Sequence, residues 1–189
     1  VNSSDLSPDS IDRLAASAVA LARLMDADEF FGLPDPGELG AAGADLDLVD
    51  PAIDGLSAEE KIARARELEQ TGLGLDARVA PEGSSVSTGR ECVVFANSLD
   101  FLGSFERTHA SMSLSLVASD DGGGSGENTG KRQSSYWYTV GTHLGDLESI
   151  EEVARTAVER TVRKLGARKP ATCEVPVLFD PVTATAFIS

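Results

Sequence analysis

Two cysteines, two histidines and one tryptophan are all that the 189 residues carry of those types, and aromatic residues make up only 5% of the chain. Cys92 and Cys173 lie 81 positions apart with no CxxC and no adjoining histidine, so a thiolate metal knot has no framework. Both sit in strand-like segments and are expected to be free, buried thiols, the ordinary state of cysteine in a reducing cytoplasm. His109 and His143 are 34 residues apart, and neither stands in a pattern that sets two ligands on one helical face. Long apolar runs are missing too: nothing approaches the roughly 18 consecutive apolar residues of a membrane span. The opening "VNSSDLSPDS" has neither the basic nor the apolar region of an export signal. Basic residues are scarce, sixteen Lys and Arg against thirty-one Asp and Glu, a net charge of −15. That balance repels phosphate backbones and anionic lipid alike, which argues against direct nucleic-acid binding and against a membrane surface. On these absences the protein is expected to be cytoplasmic.

What is present begins with an uneven charge. Residues 1–60 hold fourteen of the acids and only Arg13 and Arg23 as bases. Ser7 as N-cap, Pro8 at the first helical position and apolar residues at helical spacing from Ile11 predict a first helix ending near Met25. Residues 26–54 hold three prolines, four glycines and nine acids, which predicts an acidic connector with little regular structure, pinned to a core by Phe30, Phe31 and Leu33. Ser57 with Glu60 spells a capping box that opens a second helix over roughly 58–71. From Arg78 the period changes to two, in runs at 78–80, 84–88, 91–96, 101–108, 110–119 and 134–141. In "SMSLSLVAS", Met112, Leu114 and Leu116 point one way and the serines the other, as in an antiparallel sheet with one wet face. Ser149 with Glu152 opens a third helix, its apolar stripe running to Leu165 and Gly166 placed to end it. Glu174 to Asp180 read as a buried strand, and Pro181 starts another helix. Helices, then strands, then a helix give the α+β class, with helices packed on one face of an antiparallel sheet.

Motifs that carry chemistry fail on their spacing. In "DDGGGSGENTGKRQ" the position five before Gly130 is Ser125, and Arg132 stands where a phosphate loop needs Ser or Thr for magnesium, so a mobile hairpin loop is the better reading. No G-x-S-x-G elbow exposes a nucleophile. Glu151 and Glu152 fall in a helix first turn, Asp120 and Asp121 in a turn, and local structure accounts for both pairs. No catalytic, metal-binding or cofactor-binding residue is therefore assigned. Tyr136, Trp137 and Tyr138 form the aromatic centre of the chain. Alternation on one strand turns Trp137 opposite to its neighbours, so that either face is a candidate contact for a peptide or a partner subunit, and core packing competes as an explanation.

Three segments in order, "DLDLVDPAIDGLSAEEKIARARELE" (45–69), "ANSLDFLGSFERTHASMSLSLVA" (96–118) and "SSYWYTVGTHLGDLESIEEVARTAVERTVRKLGARKPATCEVPVLFDP" (134–181), resemble the PmbA branch of the TldD/PmbA family, once called modulators of DNA gyrase. The resemblance implies an α+β N-terminal domain over 1–170, with 26–56 as its acidic connector, and the start of a mostly β C-terminal domain at 171–189. The chain, which opens on Val1 and halts in an apolar run, is then expected to be cut short. The resemblance also implies a pairing with a TldD-type subunit, or a homodimer, in a zinc peptidase that acts on unfolded or flexible peptides. In the TldD branch a zinc-binding HExxxH helix follows the strand that "PVLFDP" resembles. Residues 182–189 hold no His and no Glu, so the zinc is expected on the TldD-type partner and none on this chain. Asp100, in "NSLDFLG", stands where the family leads us to expect glycine. The function implied is that of a non-metal subunit of a zinc metallopeptidase. The alternative is a regulatory protein that acts on DNA gyrase without proteolysis, its acidic front third imitating DNA.

Overall fold

The computed structural model describes residues 1–38, 45–119 and 132–188. The chain divides into two compact units, one of Val1–Gly43 with Ala96–Phe101, the other of Ala44–Phe95 with Leu102–Ser189. The first contains α1 (Pro8–Ala22), which starts at the proline as expected and ends three residues short of Met25. Phe30 and Phe31 are 90% and 89% exposed rather than set in a core. A turn in which the Asp28 carboxylate accepts the Phe30 N–H holds them at the surface. Asp100 adopts φ 59°, the left-handed conformation that glycine takes at no cost, which explains why glycine is the expected residue there.

The second unit is an α+β sandwich of two layers. Its sheet has the order β1-β2-β3, built from β1 (Val79–Ala96), β2 (Leu102–Ser119) and β3 (Arg132–Gly141). Six short runs expected from the sequence are thus three strands, because Pro81, Gly83 and Gly89 do not interrupt β1. As an edge strand it tolerates a proline and glycines that a central strand would not. A Cβ at Gly89 would lie 2.3 Å from the ring of His109, an exposed side chain that lies over the glycine. β2 and β3 are antiparallel, with Leu114 opposite Trp137 and Ser113 opposite Tyr138.

Two helices cover one face of this sheet. α3 (Ala58–Leu75) runs a turn further than expected, and α4 (Ile150–Val162) is followed by Gly166 at φ +67°. Both open with complete capping boxes, Ser57 with Glu60 and Ser149 with Glu152, which satisfy two orphan N–H groups at each helix start. Their apolar stripes, Leu68 on α3 and Val153, Ala154, Ala157 and Val158 on α4, close over Met112, Leu114, Leu116 and Ala118 of β2. Full burial of Leu68, Leu114 and Leu116 stabilises the fold by about 1.5–3 kcal/mol each. Gly72 lets α3 approach so closely that a Cβ would meet Leu114 at 2.6 Å.

Two further expectations are corrected. Residues 174–180 form no strand, and Val175, Val177 and Leu178 are exposed. A strand exists only beside another strand, and among the described residues none lies next to this segment. Cys92 and Cys173 are free but exposed. Cys92 lies on the outer half of β1, past the end of the three-stranded part: its neighbour Glu91 meets Arg107 of β2, whereas β3 pairs with β2 only from Ala110 onward. Cys173 lies in the irregular stretch after α4. The glycine-rich loop 121–131 falls outside the described residues.

Candidate functional site

Period-two alternation sends every second side chain of the sheet away from the helices, and those side chains form the candidate contact face. Ser111, Ser113 and Ser115 of β2 stand opposite Val140, Tyr138 and Tyr136 of β3. The Ser85 and Ser113 hydroxyls meet at 2.9 Å, carrying the row across to β1. Tyr136 and Tyr138 are 54% and 37% exposed, with ring centroids 6.2 Å apart at an interplanar angle of 25°. Together with His109 folded over Gly89, the middle of the patch holds hydroxyls and aromatic rings beside Val140, and the same alternation sets the Arg107–Glu91 pair, at 2.6 Å, and Arg132 at its margins. In a chain of which 25% is charged, such a middle has the composition of an interface core: depleted of charge and rich in tyrosine.

Trp137 is separated from its neighbours as the alternation requires. Partly buried against the helix-side core, it donates from Nε1 to Glu148 at 2.9 Å and carries the Arg160 guanidinium 4.9 Å from its ring centroid. Arg160 in turn reaches the Asp180 carboxylate at 3.1 Å. Burial pushes the Asp180 carboxyl up, but bonds from Arg160, the Val182 N–H and the Thr183 hydroxyl outweigh it and hold it below its ordinary value. Asp180 thereby fixes the start of α5 (Pro181–Thr185) to α4 through one arginine.

A second cluster, missed in the sequence, lies where residues 45–50 meet the edge of β2 and the turn after β3. Thr108, fully buried, donates its N–H to Leu48 O at 2.9 Å. Its hydroxyl accepts from the Asp50 N–H and donates to Thr142 O, both at 2.8 Å. The Asp50 carboxylate caps α2 (Pro51–Asp54) and also accepts the Leu144 N–H at 2.9 Å. The Leu144 N–H above all, with the Ala52 N–H, holds the Asp50 carboxyl below its ordinary value. His143 lies between Asp47 and Asp146, at 3.5 and 3.6 Å. Beside this junction an open groove of about 420 Å³ is lined by residues 45–49, Phe105 and Glu106 and so carries three carboxylates. No sequence motif marks such a junction, because its members are a threonine, an aspartate and backbone groups up to 94 residues apart.

His109 lies on the outer face and His143 in the turn after β3, and among the described residues no three His, Cys, Asp or Glu side chains converge as metal ligands. Residues 181–188 supply no imidazole, thiolate or carboxylate, the groups that ligate zinc.

Residues 51–165 match the model of the PmbA/TldA metallopeptidase central domain. The metalloprotease PmbA of Escherichia coli O157:H7 is 34% identical over 97% of this chain, which spans 39% of that protein's length. A PmbA homologue from Haemophilus influenzae is 28% identical over the whole chain and 40% of its own length. Among solved structures, a candidate modulator of DNA gyrase from Bacteroides thetaiotaomicron superposes with a TM-score of 0.71 at 28% identity, covering 90% of this chain and 37% of that one. TldE from Thermococcus kodakarensis shares the fold, with a TM-score of 0.57 at 17% identity over 86% of this chain and 34% of its own.

Proposed function

The chain belongs to the PmbA/TldD metallopeptidase family, and from that premise we propose that it is part of a subunit which shapes a peptide-binding space without holding the metal. Zinc and the bond-breaking chemistry come from a TldD-type partner, and residues 171–189 lead toward a C-terminal domain. The observation that carries this reading is the tyrosine–serine row at the centre of the outer face. Stacked Tyr136 and Tyr138 supply rigid, amphipathic contact area at low entropic cost, and the serine row offers hydrogen bonds without demanding one side-chain sequence. Such a surface suits unfolded or flexible peptides of varied sequence. The donor set of residues 181–188, in which zinc finds no ligand, supports the division of labour between subunits.

The test is cleavage of an unstructured fluorogenic peptide by the whole protein paired with a family member that carries an HExxxH helix. Joint substitution Tyr136→Ala with Tyr138→Ala is expected to raise KM roughly tenfold and to leave kcat unchanged, as for loss of contacts made equally in ground and transition states. Rapid cleavage by this protein without a partner would overturn the proposal. A second reading, action on DNA gyrase, draws on the naming of the Bacteroides relative and on the acidic residues 26–54. It requires purified protein to alter supercoiling, and reversal of those acids to abolish the effect.

A further inference from the structure

β2 is longer than its pairing with β3, which starts at Ala110, so residues 102–109 have no β3 beside them. Residues 45–49 pass there instead, yet among the described residues they make one backbone bond to β2, from the Thr108 N–H to Leu48 O. That bond fixes which way this half of β2 faces. In a strand every second residue turns its N–H and C=O to the same side, so Ser104 and Glu106 offer theirs to the gap that Thr108 closes. An edge of this kind is a template for another extended chain. The groove of about 420 Å³ lies along it, between residues 45–49 and Phe105 and Glu106.

What the groove admits follows from its lining. Leu46 and Phe105 are exposed and offer apolar contact that a chain uses and a bare cation does not. Asp45, Asp47 and Glu106 supply the charge. Glu106 shares Arg90 with Asp54, each at 2.6 Å, and Asp47 has His143 at 3.5 Å. Among the described residues no Lys or Arg side chain pairs with Asp45 or Asp47. Such a lining repels acidic chains, this one at −15 included, and is complementary to lysine and arginine. We propose that the groove takes an extended, basic peptide segment, which adds as a strand to β2 at residues 104–106 and sets Lys or Arg side chains against Asp45 and Asp47. By alternation Phe105 shares the outer side of β2 with Ser111 and Ser113, which brings the groove onto the face proposed to take peptides. The inference rests on that peptide-binding reading and narrows it to a class of peptide.

Fluorescence anisotropy of the whole protein with two labelled, unstructured peptides tests it, one carrying lysines and the other glutamines in their place. The lysine peptide is expected to bind roughly fivefold more tightly, as for two partly exposed ion pairs, and added salt to narrow the gap. Joint substitution Asp45→Asn with Asp47→Asn is expected to remove the preference and leave the affinity for the glutamine peptide unchanged. Asparagine at 45 keeps the Oδ1 that accepts the residue 47 N–H, so the segment stays in place. Ser104→Pro removes an N–H that faces the groove and none that faces β1, as an edge position allows. Compared with Ser104→Ala, which keeps that N–H, it is expected to weaken both peptides roughly tenfold. No binding of the lysine peptide, equal affinity for the two, a preference that survives the asparagines, or binding indifferent to the proline overturns the proposal. None of these readouts involves cleavage. Their failure while the Tyr136 and Tyr138 substitutions still raise KM removes this inference alone, whereas failure of the assembly to cleave peptide removes the peptidase reading.

Discussion

Thr108 bears more of the second unit than its type suggests. Fully buried, it accepts from Asp50 and donates to Thr142, binding three stretches of chain through one hydroxyl. Thr108→Val keeps the shape and leaves a buried N–H and C=O without partners, which is expected to cost about 1–3 kcal/mol. Urea denaturation measures it, and a loss below about 0.5 kcal/mol, typical of a neutral surface change, would mean that water replaces the hydroxyl. At the same scale the sequence placed Trp137 opposite Tyr136 and Tyr138 correctly, because strand alternation is local. It did not reveal that Trp137 lies under Arg160, a contact made across 23 residues by tertiary packing.

At the scale of elements, α3 depends on glycine at one place and not at another. Gly72→Ala gains about 1 kcal/mol of helix propensity, but its Cβ would stand 2.6 Å from Leu114, a fully buried side chain with no room to retreat. Overpacking of about 1–3 kcal/mol outweighs the gain, and net destabilisation of up to about 2 kcal/mol is expected. Gly74, near the end of the same helix and with nothing within 4 Å, is the control. Gly74→Ala is expected to stabilise by about 0.5 kcal/mol. Thermal unfolding of both variants checks the pair, and stabilisation by both would contradict the close approach of α3. Helices were readable in the sequence because capping boxes and apolar stripes are complete within one stretch. Strand lengths were not, because Pro81 and Gly89 mean a break in a central strand and an ordinary edge in β1. Residues 174–180 carry a strand's composition without a strand's neighbour, and composition alone does not supply one. The candidate face was half visible: the serine row and the tyrosines followed from alternation, whereas their meeting across β2 and β3 is a matter of register.

At the scale of the whole molecule, the chain spans 39% of the length of the Escherichia coli relative, and residues 1–60 hold fourteen of its thirty-one acids against two bases while the tyrosine–serine row lies on the sheet. Among the described residues no helix is long and apolar enough to cross a membrane. The division of labour proposed for the family pair is a statement about where the zinc resides. Zinc content per polypeptide settles it most directly, measured on the whole protein purified alone and again after assembly with an HExxxH-bearing partner. The expected result is no stoichiometric zinc on this protein alone and one zinc per partner chain in the assembly. One tightly held zinc on this protein by itself would contradict it.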